Sequence, residues 1–357
     1  MKLTRSIVIL MFGALAATLD AAAAGAGFVD VLDAPAPMSS LAAKSLLQDV
    51  ARAGDRLVAV GQRGHVIVSG DGGRTWKQGK VPVSSDLTSL YFVDGKDGWA
   101  TGQDGVVLHS GDGGDSWELQ LDGRKANDLL VTAMERNAAA EPSETTKALL
   151  AEARRYRDQG PDKPFLDVWF ADAQNGYVVG AYNLLFRTTD GGKTWQPWFD
   201  RTDNRKYFNL YAIRPVGDDL YIAGEGGLIL KLDPASKRFK ALAIPYNGSF
   251  FGVGGAGSAV LVFGLRGNIW RSDDRGLTWA KVDAGLRAAV VGTTAADGAF
   301  VLADAGGRFA ASTDGGHSFR PVRLKQSMPI AGFAVARDGR FVLAGPRGVA
   351  VSDIATP

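Results

Sequence analysis

An eight-residue phrase returns along this chain at intervals of about forty residues, and that interval restricts the fold more than any other feature. It reads Ser69-Gly70-Asp71-Gly72-Gly73-Arg74-Thr75-Trp76, then Ser110-Gly111-Asp112-Gly113-Gly114-Asp115-Ser116-Trp117, then Thr188-Thr189-Asp190-Gly191-Gly192-Lys193-Thr194-Trp195. Looser copies centre on Asp274 with Trp279 and on Asp314 with Phe319. An alternating apolar stretch such as His65-Val66-Ile67-Val68 precedes each copy. The pattern predicts a hairpin. The aspartate accepts hydrogen bonds from the turn it opens, the glycines adopt backbone angles that a Cβ forbids, and the aromatic starts the next strand and packs inward. Asp71, Asp112, Asp190, Asp274 and Asp314, with Trp76, Trp117, Trp195 and Trp279, are therefore expected to be structural, because a catalytic carboxylate occurs once and not once per repeat.

A second marker lies upstream of each copy, a strand ending in a glycine-rich turn. Successive instances at positions 61, 102, 180, 224, 264, 304 and 345 are 41, 78, 44, 40, 40 and 41 residues apart. The long step is close to two periods, so seven units of four short strands are expected, and that unit is the size of a propeller blade. The predicted fold is all-β: a seven-bladed β-propeller, with a small helical insertion over about 122–163 between blades two and three. Within the insertion, Leu149, Leu150, Ala153 and Tyr156 have helical spacing, and Leu129, Leu130 and Met134 suggest a second short helix. Blade seven stops at Asp353 before an outer strand can form, so a strand over about 28–32 is expected to close the ring and remove an exposed edge. One propeller domain over 25–357 follows.

Residues 1–24 read as a secretory leader: Lys2 and Arg5, an apolar run from Ile7 to Ala17, then small residues up to Ala24. The run is too short for a membrane span, so a cleaved leader and a periplasmic location are expected. The chain has no cysteine, which rules out disulfides, thiolate chemistry and a lipid-bearing cysteine. Its 40 basic and 38 acidic residues are too balanced for a nucleic-acid partner. His65, His109 and His317 sit at different places in their repeats, so no metal site is expected, and nothing points to a cofactor.

In a propeller the turns between the second and third strands share one face with the connections between blades, and the insertion belongs to that face. Variable loops usually carry recognition. Arg63, Arg266 and Arg347 occupy these turns in blades one, five and seven, and Arg308 follows the turn of blade six. The four fall on consecutive blades and predict an arc suited to carboxylate or phosphate groups. Arg201, Asp203, Arg205 and Lys206 fall on the same face. The expected function is binding without catalysis. Two alternatives remain open. A glycoside hydrolase would use Asp104 and Glu225 as a carboxylate pair, although the Arg-Ile-Pro segment of sialidases is absent and the nearest string is Ile213-Arg214-Pro215. A polysaccharide-binding propeller would stack sugars on Trp99, Trp169 and Trp198.

The aspartate repeats together with Gly-x-x-Gly turns such as Gly102 to Gly105 resemble the BNR/Asp-box propellers, and within them the photosystem II assembly and stability factors. Leu90-Tyr91-Phe92-Val93-Asp94 and Gly98-Trp99-Ala100-Thr101-Gly102 resemble that family's blade openings, and Val168-Trp169-Phe170 with Gly176 to Gly180 repeat the match. The resemblance covers roughly residues 27 to 355. It implies an assembly factor whose protein partner is a membrane-protein complex or its subunit, with the arc of Arg63, Arg266, Arg308 and Arg347 as counterpart of the family's arginine patch. The insertion and the leader are closer to members from non-photosynthetic bacteria, periplasmic accessory proteins.

Overall fold

In the computed structural model, residues 29–296 and 299–355 are described. The expected leader and Phe28 lie outside them. Among the described residues, seven antiparallel sheets follow one another in sequence order, six with four strands and the last with three. Their inner strands are Leu47–Ala53, Leu87–Phe92, Phe165–Phe170, Leu210–Val216, Phe250–Ala256, Val290–Ala296 and Gly332–Val335. Each inner strand packs on the next, and the seventh packs on the first. The ring is thus closed, and its core lies between neighbouring sheets: Val58, Val68, Leu90 and Leu108 between blades one and two are all buried.

The hairpin locks are alike in five blades. In blade one, Asp71 Oδ1 accepts from the amides of Arg74 and Thr75, both at 2.9 Å, and Oδ2 accepts from Thr75 Oγ1 at 2.6 Å. Ser69 Oγ donates to Asp71 at 2.8 Å and accepts from Gly73 N at 2.9 Å. The equivalent aspartates hold Ser116, Thr194, Thr278 and Ser318. These bonds stabilise the charged form, so the carboxyls of Asp71, Asp190, Asp274 and Asp314 are held below the usual range, chiefly by the Thr or Ser hydroxyl.

The expected closing strand is corrected. Asp30 caps a turn, with its side chain accepting from Leu32 N at 2.9 Å, and Leu32 is buried in the core of blades one and two. Asp30 and Asp33 both pair with Arg124, each at 2.9 Å. These contacts hold residues 29–33 beside blade two. The three-stranded seventh blade meets the first through side chains instead: Arg340 Nη2 donates to Gly72 O at 3.0 Å, and Leu57, Ile67, Val342 and Ala344 are buried between the two sheets.

The insertion forms two helices, α1 (Gly123–Ala140) and α2 (Glu144–Gln159). The first is longer than the short helix expected. It is capped by Asp122, which accepts from Lys125 N at 2.9 Å. Ser143 starts α2 with a reciprocal cap on Thr146. Leu130, Met134 and Tyr156 are buried against Phe165, Phe186 and Phe199, so the hairpin is part of the core of blade three.

Candidate functional site

The turns between second and third strands are built by one rule. Their first amide donates to the carbonyl just ahead of the same blade's inner strand: Gln62 N to Leu46 O, Gln103 N to Asp86 O, Ala181 N to Pro164 O, and so on through blade six. The next residue then adopts left-handed angles. It is Arg63 (φ 56°), Asp104 (58°), Tyr182 (52°), Gly226 (63°) and Arg266 (56°) in blades one to five. Glycine takes such angles freely, whereas an L-residue with a side chain is disfavoured there by about 1–2 kcal/mol. The backbone therefore gives no reason for arginine at this position.

Arg63, Arg266, Arg308 and Arg347 are all exposed, and none has an ion-pair partner among the described residues. Arg308 follows a turn whose shape is imposed by Asp304, buried and accepting from the amides of Gly306 and Arg308, both at 3.0 Å. Nearby Arg287 is neutralised by Asp283 at 3.1 Å. Lys44, which sequence reasoning passes over, is exposed directly beside the turn of Arg347 and Gly348. The loop after blade three adds exposed Arg205 and Lys206, while Arg201 lies over Trp198 with 5.0 Å to the ring centroid. The other side of this face is acidic at blade two. Burial pushes the Asp104 carboxyl up, and Asp30, Asp86 and Asp162 around it add to the shift.

The two alternatives fit this geometry poorly. Asp104 and Glu225 occupy turns of blades two and four and share no partner, since Glu225 accepts from Asn209 N at 3.2 Å. Trp99 is fully buried and stacks on Phe170 with ring centroids 3.5 Å apart. Trp198 is buried as well, and Trp169 stacks on Tyr177. Sugar stacking by Trp99 or Trp198 is thereby removed.

A second feature escapes sequence reasoning. The channel down the middle of the ring holds a cavity of about 330 Å³ lined by the inner strands of all seven blades. One position of each inner strand lines it, the third residue of the strand in blades one to six and the first in blade seven. Blades one to three place Asp49, Ser89 and Asp167 there, whereas blades four to seven place Ala212, Gly252, Gly292 and Gly332. Ser89 Oγ lies 2.8 Å from Asp167 Oδ1 and 3.3 Å from Asp49 Oδ2. Asp167 also accepts from Ile213 N at 2.8 Å and pairs with Arg214 at 2.5 Å. Asp49 accepts from the amides of Val50 at 2.8 Å and Leu90 at 3.1 Å. Burial pushes its carboxyl up to about 6. The signal is present in the repeats, but only on aligning the inner strands position by position.

Comparison with known proteins agrees with this architecture. The family described as photosynthesis system II assembly factor Ycf48 matches residues 35–148 and 152–342. The photosystem II assembly lipoprotein Ycf48 of a Picosynechococcus strain is 30% identical over 216 residues, which is 56% of this chain and 61% of the relative. The protein of the same name from Synechococcus sp. strain CC9902 is 26% identical over 167 residues, 45% of this chain and 50% of the relative. The chain thus spans only half to three-fifths of the length of these two relatives. A solved structure described as Ycf48 bound to D1 peptide superposes with a TM-score of 0.60 at 14% identity, covering 88% of this chain and 95% of that one. At that identity the superposition speaks for the fold. Among the described residues no helix is long and apolar enough to cross a membrane. The match of a single family over most of the ring settles the kinship: this chain belongs to the photosystem II assembly factor family of Ycf48.

Proposed function

We infer that this chain is an exported, non-enzymatic accessory factor that holds a segment of a membrane-protein complex on the face bearing Arg63, Arg266, Arg308 and Arg347. The observation that carries this reading is the state of those side chains: exposed, without ion-pair partners among the described residues, and in two cases on left-handed backbone where glycine would be more stable. Unpaired arginines at the tips of rigid turns are pre-organised for carboxylate-bearing protein segments. The names of the relatives support a role in assembly, and their description as lipoproteins supports export. The peptide in the related solved structure supports a polypeptide partner.

The test is capture of detergent-solubilised membrane proteins of the source cell by the chain without residues 1–24. A fourfold variant, Arg63→Gly, Arg266→Gly, Arg308→Ala and Arg347→Ala, should lose the captured partner without any fall in its melting temperature. Equal capture by the variant would remove this face from the function.

A further inference from the structure

We propose that the central channel is a binding site for a small organic cation, a primary ammonium on a compact apolar body, with the ammonium on Asp49 and the body against Phe251, Val291 and Phe333. This site is separate from the arginine-bearing face and does not depend on the reading of that face.

The argument starts from charge. Three charged side chains line the cavity: Asp49, Asp167 and Arg214. Arg214 is matched to Asp167 at 2.5 Å, and its guanidinium lies over Tyr91 with 5.8 Å to the centroid. Asp49 has no cation at ion-pair distance among the described residues, and the field of Arg214 offsets only part of the cost of holding its carboxylate away from water. A carboxylate held away from water without a close cation is unfavourable even when hydrogen-bonded, and a cation that enters the cavity supplies the missing partner. An anion would meet an acidic wall whose one arginine is already engaged.

Shape gives the rest of the ligand. Beyond these polar groups the lining is largely apolar: Phe251 from blade five, Val291 from blade six and Phe333 from blade seven, with Gly332 directly against Asp49. A volume of about 330 Å³ is at the small end of ligand sites and suits a molecule the size of phenethylammonium.

The experiment titrates the chain with phenethylammonium, using calorimetry and ligand-observed NMR. Neutral 2-phenylethanol and anionic 3-phenylpropionate serve as comparisons. Saturable one-to-one binding of the ammonium alone is expected. Asp49→Asn should weaken it by about tenfold or more, as loss of a charge-assisted hydrogen bond requires. Val291→Phe narrows the cavity from blade six and leaves the Asp49 carboxylate in place, and it should abolish binding. That variant decides the matter if Asp49→Asn does not fold. No saturable binding to the unaltered chain, equal affinity for the alcohol, or undiminished binding in the folded variants would overturn the proposal.

Discussion

Replacing Asp49 by asparagine should make this protein more stable at pH 7.5 and less stable at pH 4. Burial raises the Asp49 carboxyl from 3.8 to about 6. Its folded-state value thus lies above its unfolded one, so between those values the native chain holds a proton that the unfolded chain has released. Stability from this group is fully present below about pH 4, declines as pH rises towards 6, and is flat above that. A rise of that size corresponds to about 3 kcal/mol of penalty on the ionised native state at neutral pH. Asparagine removes the charge and keeps one acceptor for the amides of Val50 and Leu90, so about 1 kcal/mol is given back through the lost hydrogen bond. The net expectation is a gain of about 1–2 kcal/mol at pH 7.5 and a loss of about 1 kcal/mol at pH 4.

Urea unfolding followed by tryptophan fluorescence, at half-unit steps from pH 4 to 7.5, measures both. The difference between the two chains matters more than either curve. Burial lowers the pKa of His65, so its contribution rises with pH in part of the same window, and it cancels on subtraction. The aspartates of the hairpin locks titrate lower: their values are depressed, and their contribution is lost only as pH falls below about 4. The other groups facing Asp49 are Asp167, Arg214, Tyr91 and Tyr211, and they are common to both chains. A difference that does not change with pH would refute the reasoning, because it would mean that Asp49 is ionised in the native state as easily as in water.

Arg63→Gly should raise stability by about 0.5 kcal/mol, since relief of the left-handed conformation exceeds the extra freedom glycine gains when unfolded; a clear loss in urea unfolding would contradict the strain argument. Ser110→Ala should cost about 1–3 kcal/mol, because the buried amide of Gly114 loses its acceptor at 2.9 Å; an unchanged unfolding midpoint would mean that the lock works through its aspartate alone. Trp99→Ala should cost about 3–5 kcal/mol through loss of the fully buried ring stacked on Phe170, measured by the same unfolding curve. Replacing residues 123–160 by a short turn should leave an unstable chain rather than a trimmed one, since Leu130, Met134 and Tyr156 complete the core of blade three; a cooperative melt at the original temperature would show the insertion to be peripheral.

What can be read from the sequence follows from how far apart the interacting residues lie. The hairpin lock is complete within eight residues, so the phrase around Asp71 announces its own hydrogen bonds, and its return every forty residues counts the blades. The start of the ring is less legible. Apolar residues near 29–32 suggest a strand, while Asp30 and Asp33 bend the chain and hold it on Arg124, which lies 91 residues beyond Asp33. The channel is invisible for the same reason of distance. Asp49, Ser89 and Asp167 meet only when three blades are placed side by side.

The ring nevertheless supplies its own control for both candidate sites. At the turn tips, Gly226 of blade four adopts the same angles as Arg63 and Arg266, so the fold has no need of an arginine there. In the channel, Gly252, Gly292 and Gly332 fill the positions of Asp49 and Asp167, so a blade can form without a carboxylate at that point. A repeat that builds the same sheet with glycine shows that the charged versions answer to something other than the sheet. Part of the channel cluster does brace neighbouring blades, as Asp167 does through Ile213 N. Asp49 braces in the same way through Leu90 N, and bracing accounts for Asp167 and Arg214, whose charges cancel. It leaves the unmatched charge of Asp49 unexplained, and that remaining charge is what a ligand in the cavity would answer.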